Sequence, residues 1–374
     1  MIRIQKAKNP THFKDFVQFP FELYKGNPFW VPPITKEELE VVDSEKNPVF
    51  QNADASFFLV YKNDKLAGRV AAMVNWVEVK ELKKNKVRFG WFDFIDDLEV
   101  SEALLSEVVK FGKAHQLDFI EGPVGFSNLD KAGLLIYGFD EMNTMITQYN
   151  HPYYSKHLVA LGYRKLAQWV EYEMKIAPFE EAPEKVKRFS KIISDRYDLK
   201  LLKFKNTNEI LPYVEQMFEL LAQTYNKLQT FVPVQAYQIK HYKEKYFRYI
   251  HPEFIKCVTD KDNKLIAFVI IMPSFTKALK KANGSFFPFG FLRVLWAQYF
   301  NNRASFYLIG VHPDYQNKGV TAMLFNDIQK TFNKRGITIV ETNPELEENK
   351  AIQQMWKNYE NRLHKKRATF TKNI

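Results

Sequence analysis

A chain of 374 residues is too long for one small module, and a prior of roughly 100–200 residues per domain divides it in two. Hydrophobic residues make up 46% and charged residues 26%, as in folded globular proteins, and no run approaches the ~20 apolar residues that a membrane-spanning helix needs. The net charge of +11 suits an anionic partner such as RNA, a membrane surface or a phosphorylated cofactor, and speaks to association rather than to fold.

Residues 2–6 alternate like a short strand and 12–24 follow as a helix. The loop Gly26-Asn-Pro-Phe-Trp-Val-Pro-Pro33 holds three prolines, which exclude regular helix. Residues 57–61 and 68–75 read as strands of a hairpin around Lys62-Asn-Asp-Lys65. A strand at 87–95 precedes a helix at 100–115, whose apolar residues Leu104, Leu105, Val108 and Phe111 share a face. Phe119 and Ile120 lead into a cluster of four glycines, at 122, 125, 133 and 138, in a chain that has only 14. Residues 153–161 read as a helix stopped by Gly162, and 163–176 as one or two strands.

The segment Ala177-Pro-Phe-Glu-Glu-Ala-Pro183 interrupts both periodicities, which places a boundary between residues 1–176 and 177–374. Beyond it the order recurs, with a strand at 199–205, helices at 209–225 and 236–247, and a hairpin at 254–272. Asp64-Lys-Leu66 and Asp262-Asn-Lys-Leu265 open similar strands 199 positions apart, which hints at a duplication or at two ordinary hairpins.

The segment 306–336 carries the sharpest chemical signal. A buried-type strand, Phe306-Tyr-Leu-Ile-Gly-Val311, is followed by the loop His312-Pro-Asp-Tyr-Gln-Asn-Lys-Gly-Val-Thr321 and by a helix running to about Arg335. The first turn of a helix leaves N–H groups without partners and carries roughly half a positive charge, so backbone amides there can hold a pyrophosphate. Gly319 would keep a Cβ out of the way, and Lys318 adds a formal positive charge. An ordinary strand-loop-helix turn is the plainer reading.

Gln316-Asn-Lys-Gly319-Val-Thr321 resembles the acyl-CoA pyrophosphate loop of the GNAT acyltransferase superfamily, fitting at Gln316 and Gly319 and departing at Thr321. Gly310-Val-His-Pro313 is similar to that superfamily's strand ending. The resemblance implies a mixed α/β (α+β) fold of two tandem GNAT-like domains, each a mostly antiparallel central sheet flanked by helices. It implies acetyl-CoA or another acyl-CoA as co-substrate. Pantetheine would pair with the strand at Ile309, Gly310 and Val311, and the amides of Gln316, Asn317, Lys318, Gly319, Val320, Thr321 and Ala322 would hold the pyrophosphate.

The family's usual acid is a tyrosine seven residues beyond an asparagine, in a helix expected here at 349–363. Counting from Asn349 reaches Trp356, which cannot serve, so Tyr359, one helical turn on, is the substitute, with core packing as its rival role. Glu341, at the end of the strand expected at 337–340, is the candidate base, or else a solvated strand-end charge; His312 reads as a loop residue.

The first half resembles a degenerate GNAT domain. Gly162-Tyr163 matches the superfamily's last-helix ending, but Phe94-Ile-Asp-Asp-Leu-Glu99 stands where a phosphate loop belongs, and its three carboxylates would repel a pyrophosphate. Together with Tyr24-Lys-Gly-Asn-Pro-Phe-Trp-Val-Pro-Pro33 and Glu121-Gly-Pro-Val-Gly-Phe-Ser-Asn-Leu-Asp130, the chain looks like a bacterial double-GNAT protein. That first half is then expected to shape the acceptor side or to be structural.

Two segments stay open. Residues 121–140 form either a polar substrate wall or a structural turn cluster. Residues 276–303 hold Lys277, Lys280, Lys281, Arg293 and Arg303 without an acid, around Phe286-Phe-Pro-Phe-Gly-Phe-Leu-Arg-Val-Leu-Trp296; a long acyl chain, a peripheral membrane contact or plain packing would each use them. The basic tail 357–374 reads as a solvated face.

One cysteine and eight scattered histidines give no paired metal-ligand spacing, so no metal is expected, and no nucleophile elbow or P-loop occurs. The opening residues lack the apolar core of a signal peptide, and with Cys257 alone a cytoplasmic setting is expected. The expectation is therefore an acyl-CoA-dependent N-acyltransferase acting on a small-molecule or peptide amine. An aminoacyl-tRNA-dependent transferase, which would make tRNA a partner, and a non-catalytic acyl-CoA-binding protein are the alternatives.

Overall fold

The computed structural model describes the chain except residues 128, 182–183, 226–230, 246–249, 350–352, 354 and 358. In chain order the elements begin β1 Ile2–Lys6, α1 Pro10–Leu23, α2 Thr35–Val41, β2 Ala53–Lys62, β3 Lys65–Asn75, α3 Trp76–Lys80, β4 Lys86–Phe94, α4 Leu98–Ala114, β5 Phe119–Gly122, β6 Leu134–Tyr137 and α5 Tyr153–Ala160. Then come β7 Arg164–Lys175, α6 Glu184–Tyr197, β8 Lys200–Leu202, α7 Val214–Tyr225, α8 Ala236–Lys245, β9 Ile255–Thr259 and β10 Leu265–Pro273. The chain ends with α9 Thr276–Ala282, α10 Gly290–Tyr299, β11 Arg303–Val311, α11 Thr321–Lys334, β12 Ile339–Glu341, β13 Glu345–Leu346 and β14 Asn361–Asn373.

These elements form two compact units. The first comprises Met1–Val170, Phe275–Val294 and His364–Ile374, and the second Glu171–Ser274 and Leu295–Leu363. A boundary read from linear order at 176/177 is blind to this arrangement, because the first unit also draws on two segments from beyond it.

In the first unit β1, β2, β3 and β4 pair antiparallel in sequence, β4 pairs parallel with β5, and β5 pairs antiparallel with β14. In the second, β8, β9, β10 and β11 pair antiparallel, β11 pairs parallel with β12, and β12 pairs antiparallel with the end of β7. Both are the mixed, mostly antiparallel sheet that the sequence leads one to expect. The likeness extends to detail. Only the first three residues of β4 meet β5, and only the first three of β11 meet β12, while each strand carries a register shift against its antiparallel neighbour. Past those three residues the parallel ladders end, although in the first unit Val124 N still bonds to Phe89 O at 2.8 Å.

Each sheet is covered by helices with amphipathic faces. In the first unit α4 sends Val100, Leu104, Leu105 and Val108 into a core with Val60, Val70, Phe89 and Phe94. In the second, α11 contributes Met323, Leu324, Ile328 and Phe332 to a core with Val258, Val269, Phe306 and Trp356.

Two expectations are corrected. The helix foreseen at 349–363 is shorter than expected: residues 353, 355 and 356 are helical, and β14 begins at Asn361. The Asn361 side chain donates to the carbonyls of Trp356 and Tyr359, at 2.8 and 2.9 Å, and so closes the chain before the strand. Residues 350–352, 354 and 358 of that expected helix lie outside the described residues. The basic tail is not a solvated face either: Lys365 and Arg367 are fully buried in β14. Their heads reach carbonyls, Lys365 Nζ donating to Met142 O at 3.2 Å and Arg367 to Gln148 O, with Asn143 Oδ1 3.3 Å from the same guanidinium.

The glycine-rich segment after β5 is a packed structural cluster. A Cβ on Gly125 would stand 2.2 Å from the Cβ of Asp130. Beneath it a buried ionic network joins Arg88 to Glu78 (Nε–Oε2 2.8 Å, Nη2–Oε1 2.9 Å) and Lys86 to both Glu78 (2.8 Å) and Glu121, with Arg88 also donating to Gly125 O at 3.1 Å. Arg88→Met should therefore cost about 3–5 kcal/mol in chemical denaturation, since it leaves a buried carboxylate short of its cation, and Glu78→Gln combined with Arg88→Met should cost less.

Candidate functional site

The site is built where β11 and β12 part. Side chains bond to the carbonyls of alternate β11 residues: Asn343 Nδ2 to Tyr307 O at 2.7 Å, Tyr225 OH to Ile309 O at 2.9 Å, and Gln316 Nε2 to Val311 O at 3.2 Å. In an antiparallel strand, alternate residues direct both backbone groups to the same side. Ile309 and Val311 therefore turn their N–H groups away from β10, toward the edge that β12 has left. Gly310 pairs with Phe268 in the sheet.

The chain then turns through His312, whose N–H bonds to Ile266 O at 2.8 Å and whose ring accepts from Asp314 N at 3.3 Å. The amides of Gln316 and Lys318 bond back to His312 O and Tyr315 O at 3.1 and 3.2 Å, and that of Ala322 to Gly319 O at 2.9 Å. Asn317 and Gly319 adopt left-handed φ of 65° and 78°. At Gly319 the conformation decides the residue, because a Cβ would meet only the Ile193 side chain at an ordinary 3.4 Å. Helix α11 starts without a side-chain cap. The amides of Asn317, Gly319, Val320 and Thr321 accordingly have no acceptor among the described residues. Lys318 Nζ stands 5.0 and 5.3 Å over the rings of Tyr315 and Tyr197, which fixes a cation beside them.

The equivalent turn of the first unit is closed. Asp97 caps α4, accepting from Glu99 N at 3.1 Å and Val100 N at 3.4 Å, and Lys62 pairs with both Asp97 and Glu99. A carboxylate of the protein already occupies the positive end of that helix.

The two catalytic candidates sit differently. Glu341 is buried 3.3 Å from Arg303, whose guanidinium also binds Glu173. Glu173 is pushed up by burial, but its bonds to Arg303 and Arg362 prevail and hold it below the usual carboxylate range. Tyr359 is half-buried against the core of the second unit, and burial raises its hydroxyl to about 12. Trp356 stacks its indole 5.3 Å from Phe306. Asn349 is exposed, its N–H bonded to Leu346 O at 2.9 Å.

One group escaped the sequence reading. Glu345 is buried, its carboxylate accepting the Trp356 indole N–H at 2.9 and 3.0 Å, and burial raises its pKa to about 8 against that bond. Its charge is felt by Tyr225, the tyrosine bonded to the β11 edge, which burial raises to about 12. Nothing in Pro-Glu-Leu-Glu-Glu348 separates this carboxylate from its neighbours, because burial is set by the fold.

The first unit holds a cavity of about 1040 Å³, walled by Phe21, Tyr24, Trp30 and Leu39 together with Phe286 and Phe287, and edged by Lys25, Lys36 and Lys280. The loop at 24–33 thus lines a chamber. Tyr24 anchors it through Asp93, at 2.8 Å.

Comparison with known proteins fits this geometry. Residues 214–359, which contain β11, the loop and α11, match the family model described as "Acetyltransferase (GNAT) family". The chain carries a GNAT-family domain. It is 25% identical over 353 residues to Protein YghO of Escherichia coli K12, covering 93% of this chain and 89% of that one. It is 22% identical over 301 residues to a bacterial ceramide synthase of Caulobacter vibrioides, covering 78% and 74%. Among solved structures, a tandem GNAT protein from the clavulanic acid biosynthesis pathway aligns with a TM-score of 0.59 over 100% of this chain and 98% of that one, at 10% identity. A GNAT protein from Sphaerobacter thermophilus aligns at 0.51, with 11% identity, over 100% and 95%. The fold of the chain is that of tandem GNAT proteins.

Thr321 is the first residue of α11, where a carboxylate favours the helix by about 0.3–1 kcal/mol yet opposes a bound anion. Thr321→Asp should leave the protein as stable or more so in denaturant while weakening calorimetric binding of coenzyme A at least tenfold.

Proposed function

We propose that the second unit binds acyl-CoA at the start of α11 and transfers its acyl group to the primary amine of a lipid-like acceptor. The single observation that carries this reading is the uncapped helix start, with four amides lacking acceptors among the described residues, beside an open strand edge in a GNAT-family domain. The amides of Asn317, Gly319, Val320 and Thr321, with Lys318, would hold the pyrophosphate. The open edge at Ile309 and Val311 would receive the pantetheine arm, and its N–H groups would polarise the thioester carbonyl. The bound co-substrate supplies an activated acyl carbon. Gln316 serves by tying the loop to Val311, Gly310 holds the strand in the sheet, and Ala322 fixes the first turn of α11.

For the proton the structure favours Glu345 over Glu341, which is engaged by Arg303. The acceptor nitrogen must shed a proton as its bond to carbon forms and the carbon–sulfur bond breaks. A carboxylate titrating near 8 is, once ionised, a far stronger base than one of ordinary pKa. Tyr359, neutral at any physiological pH, is the proposed donor to the departing sulfur. The lipid-like acceptor rests on the ceramide synthase relative, since a ceramide is a fatty amide. Identity of 22% leaves chain length and headgroup to experiment.

The test is release of coenzyme A and mass detection of the amide, with acyl-CoAs from two to eighteen carbons and a long-chain amino alcohol. Since Glu345 must be ionised to accept a proton, kcat should rise with pH and level off above about 8. Glu345→Gln should lower kcat by about 10²–10⁴-fold and abolish that limb. Trp356→Phe, by removing a bond that favours the anion, should move the limb to higher pH. Glu341→Gln should change kcat by only a few fold and cost about 1–3 kcal/mol of stability. Absence of any amide, or a pH limb that survives in Glu345→Gln, would contradict the assignment.

A further inference from the structure

Helix α10 inverts the usual burial pattern. Leu292, Leu295, Trp296, Tyr299 and Phe300 recur at the spacing of one helical face, the pattern that normally turns inward, yet all are exposed, Trp296 by 65% and Phe300 by 64%. The opposite side does the packing, with Ala297 buried and Val294 seated against Val31, Ile34 and Leu279. The turn before the helix continues the apolar surface, with Phe287 exposed by 81% and Phe289 by 62%. So many large apolar side chains left exposed along one helix and the turn before it mark an interaction site in a folded protein.

The charge beside it selects the partner. Residues 276–303 contain five basic residues and no acid. Arg303 is engaged by Glu173 and Glu341, Lys280 by Pro28 O, and Arg293 gives one nitrogen to Lys281 O, but the side chains of Lys277, Lys281 and Arg293 are exposed. Bulky apolar side chains with Trp and Tyr among them, flanked by exposed cations, are what an anionic bilayer surface takes: rings settle at the headgroup level and lysines reach phosphates. A second copy of this surface would set these cations against one another.

We infer that α10, with the turn at 285–289, docks the protein onto an anionic phospholipid surface, the apolar side chains entering the headgroup boundary and Lys277, Lys281 and Arg293 pairing with lipid phosphates. The surface lies outside the residues assigned to acyl-CoA, so the inference stands whether or not the acyltransferase reading does.

Sedimentation of the full chain with sucrose-loaded vesicles tests it, using phosphatidylglycerol mixed with phosphatidylcholine against phosphatidylcholine alone. Binding to the mixed vesicles should be at least tenfold tighter than to the neutral ones and should fall as salt rises. The triple variant Phe289→Ser, Trp296→Ser, Phe300→Ser and the double variant Lys277→Glu, Lys281→Glu should each lose at least tenfold, with thermal unfolding and coenzyme A titration unchanged from the parent. Failure of the parent to sediment with anionic vesicles, or equal binding by the triple variant, would overturn the inference. So would a parent dimer in light scattering that the triple variant converts to monomer.

Discussion

The functional account depends on what occupies the positive end of one helix. Both α4 and α11 follow a strand that has just parted from its parallel neighbour, and in both the first-turn amides need an acceptor. At α4 the chain supplies its own, the Asp97 carboxylate, and Lys62 neutralises it. At α11 the capping position is Val320, which has no side-chain oxygen to offer, and the preceding loop satisfies only some of its amides. One arrangement, present twice, is thus capped by its own carboxylate in one copy and leaves four amides without an acceptor among the described residues in the other.

The rest of the second unit serves that turn. The left-handed conformations at Asn317 and Gly319 aim the amides. Side chains of Gln316 and Tyr225 hold the carbonyls of the open strand, and the packing of α11 through Met323, Leu324 and Ile328 fixes the helix from behind. The buried Glu345 is kept from ordinary acidity by the same apolar core that anchors Trp356. The first unit has spent its corresponding positions on structure. Its glycine cluster and its Arg88, Glu78, Lys86 and Glu121 network are internal packing, and its cavity is lined instead by the loop after α1.

Much of this was legible in the chain. Hairpins, the helix at α4 and the strand-loop-helix at 303–334 announce themselves because their apolar spacing matches their periods and their turns carry Asn, Asp and Gly. The acids at 96, 97 and 99 are plain in the sequence, but that Asp97 caps α4 is visible only in the fold. What stayed hidden was long-range. β14 carries lysine and arginine at buried positions, so its alternation is masked, and its pairing with β5 joins residues about 250 apart in sequence. Glu345 looks like any loop acid until the core closes over it. The apolar run at 286–300 was visible, but whether it faced inward or outward could be told only from the fold.

Hydrogen exchange resolved to single amides, with and without acyl-CoA, tests the central claim most directly. The account calls for marked slowing at Asn317, Gly319, Val320 and Thr321 on addition of the ligand, with no change at residues 97–100, where the helix is already capped. Unaltered exchange at those four amides under saturating ligand, or protection appearing at the start of α4 instead, would contradict it.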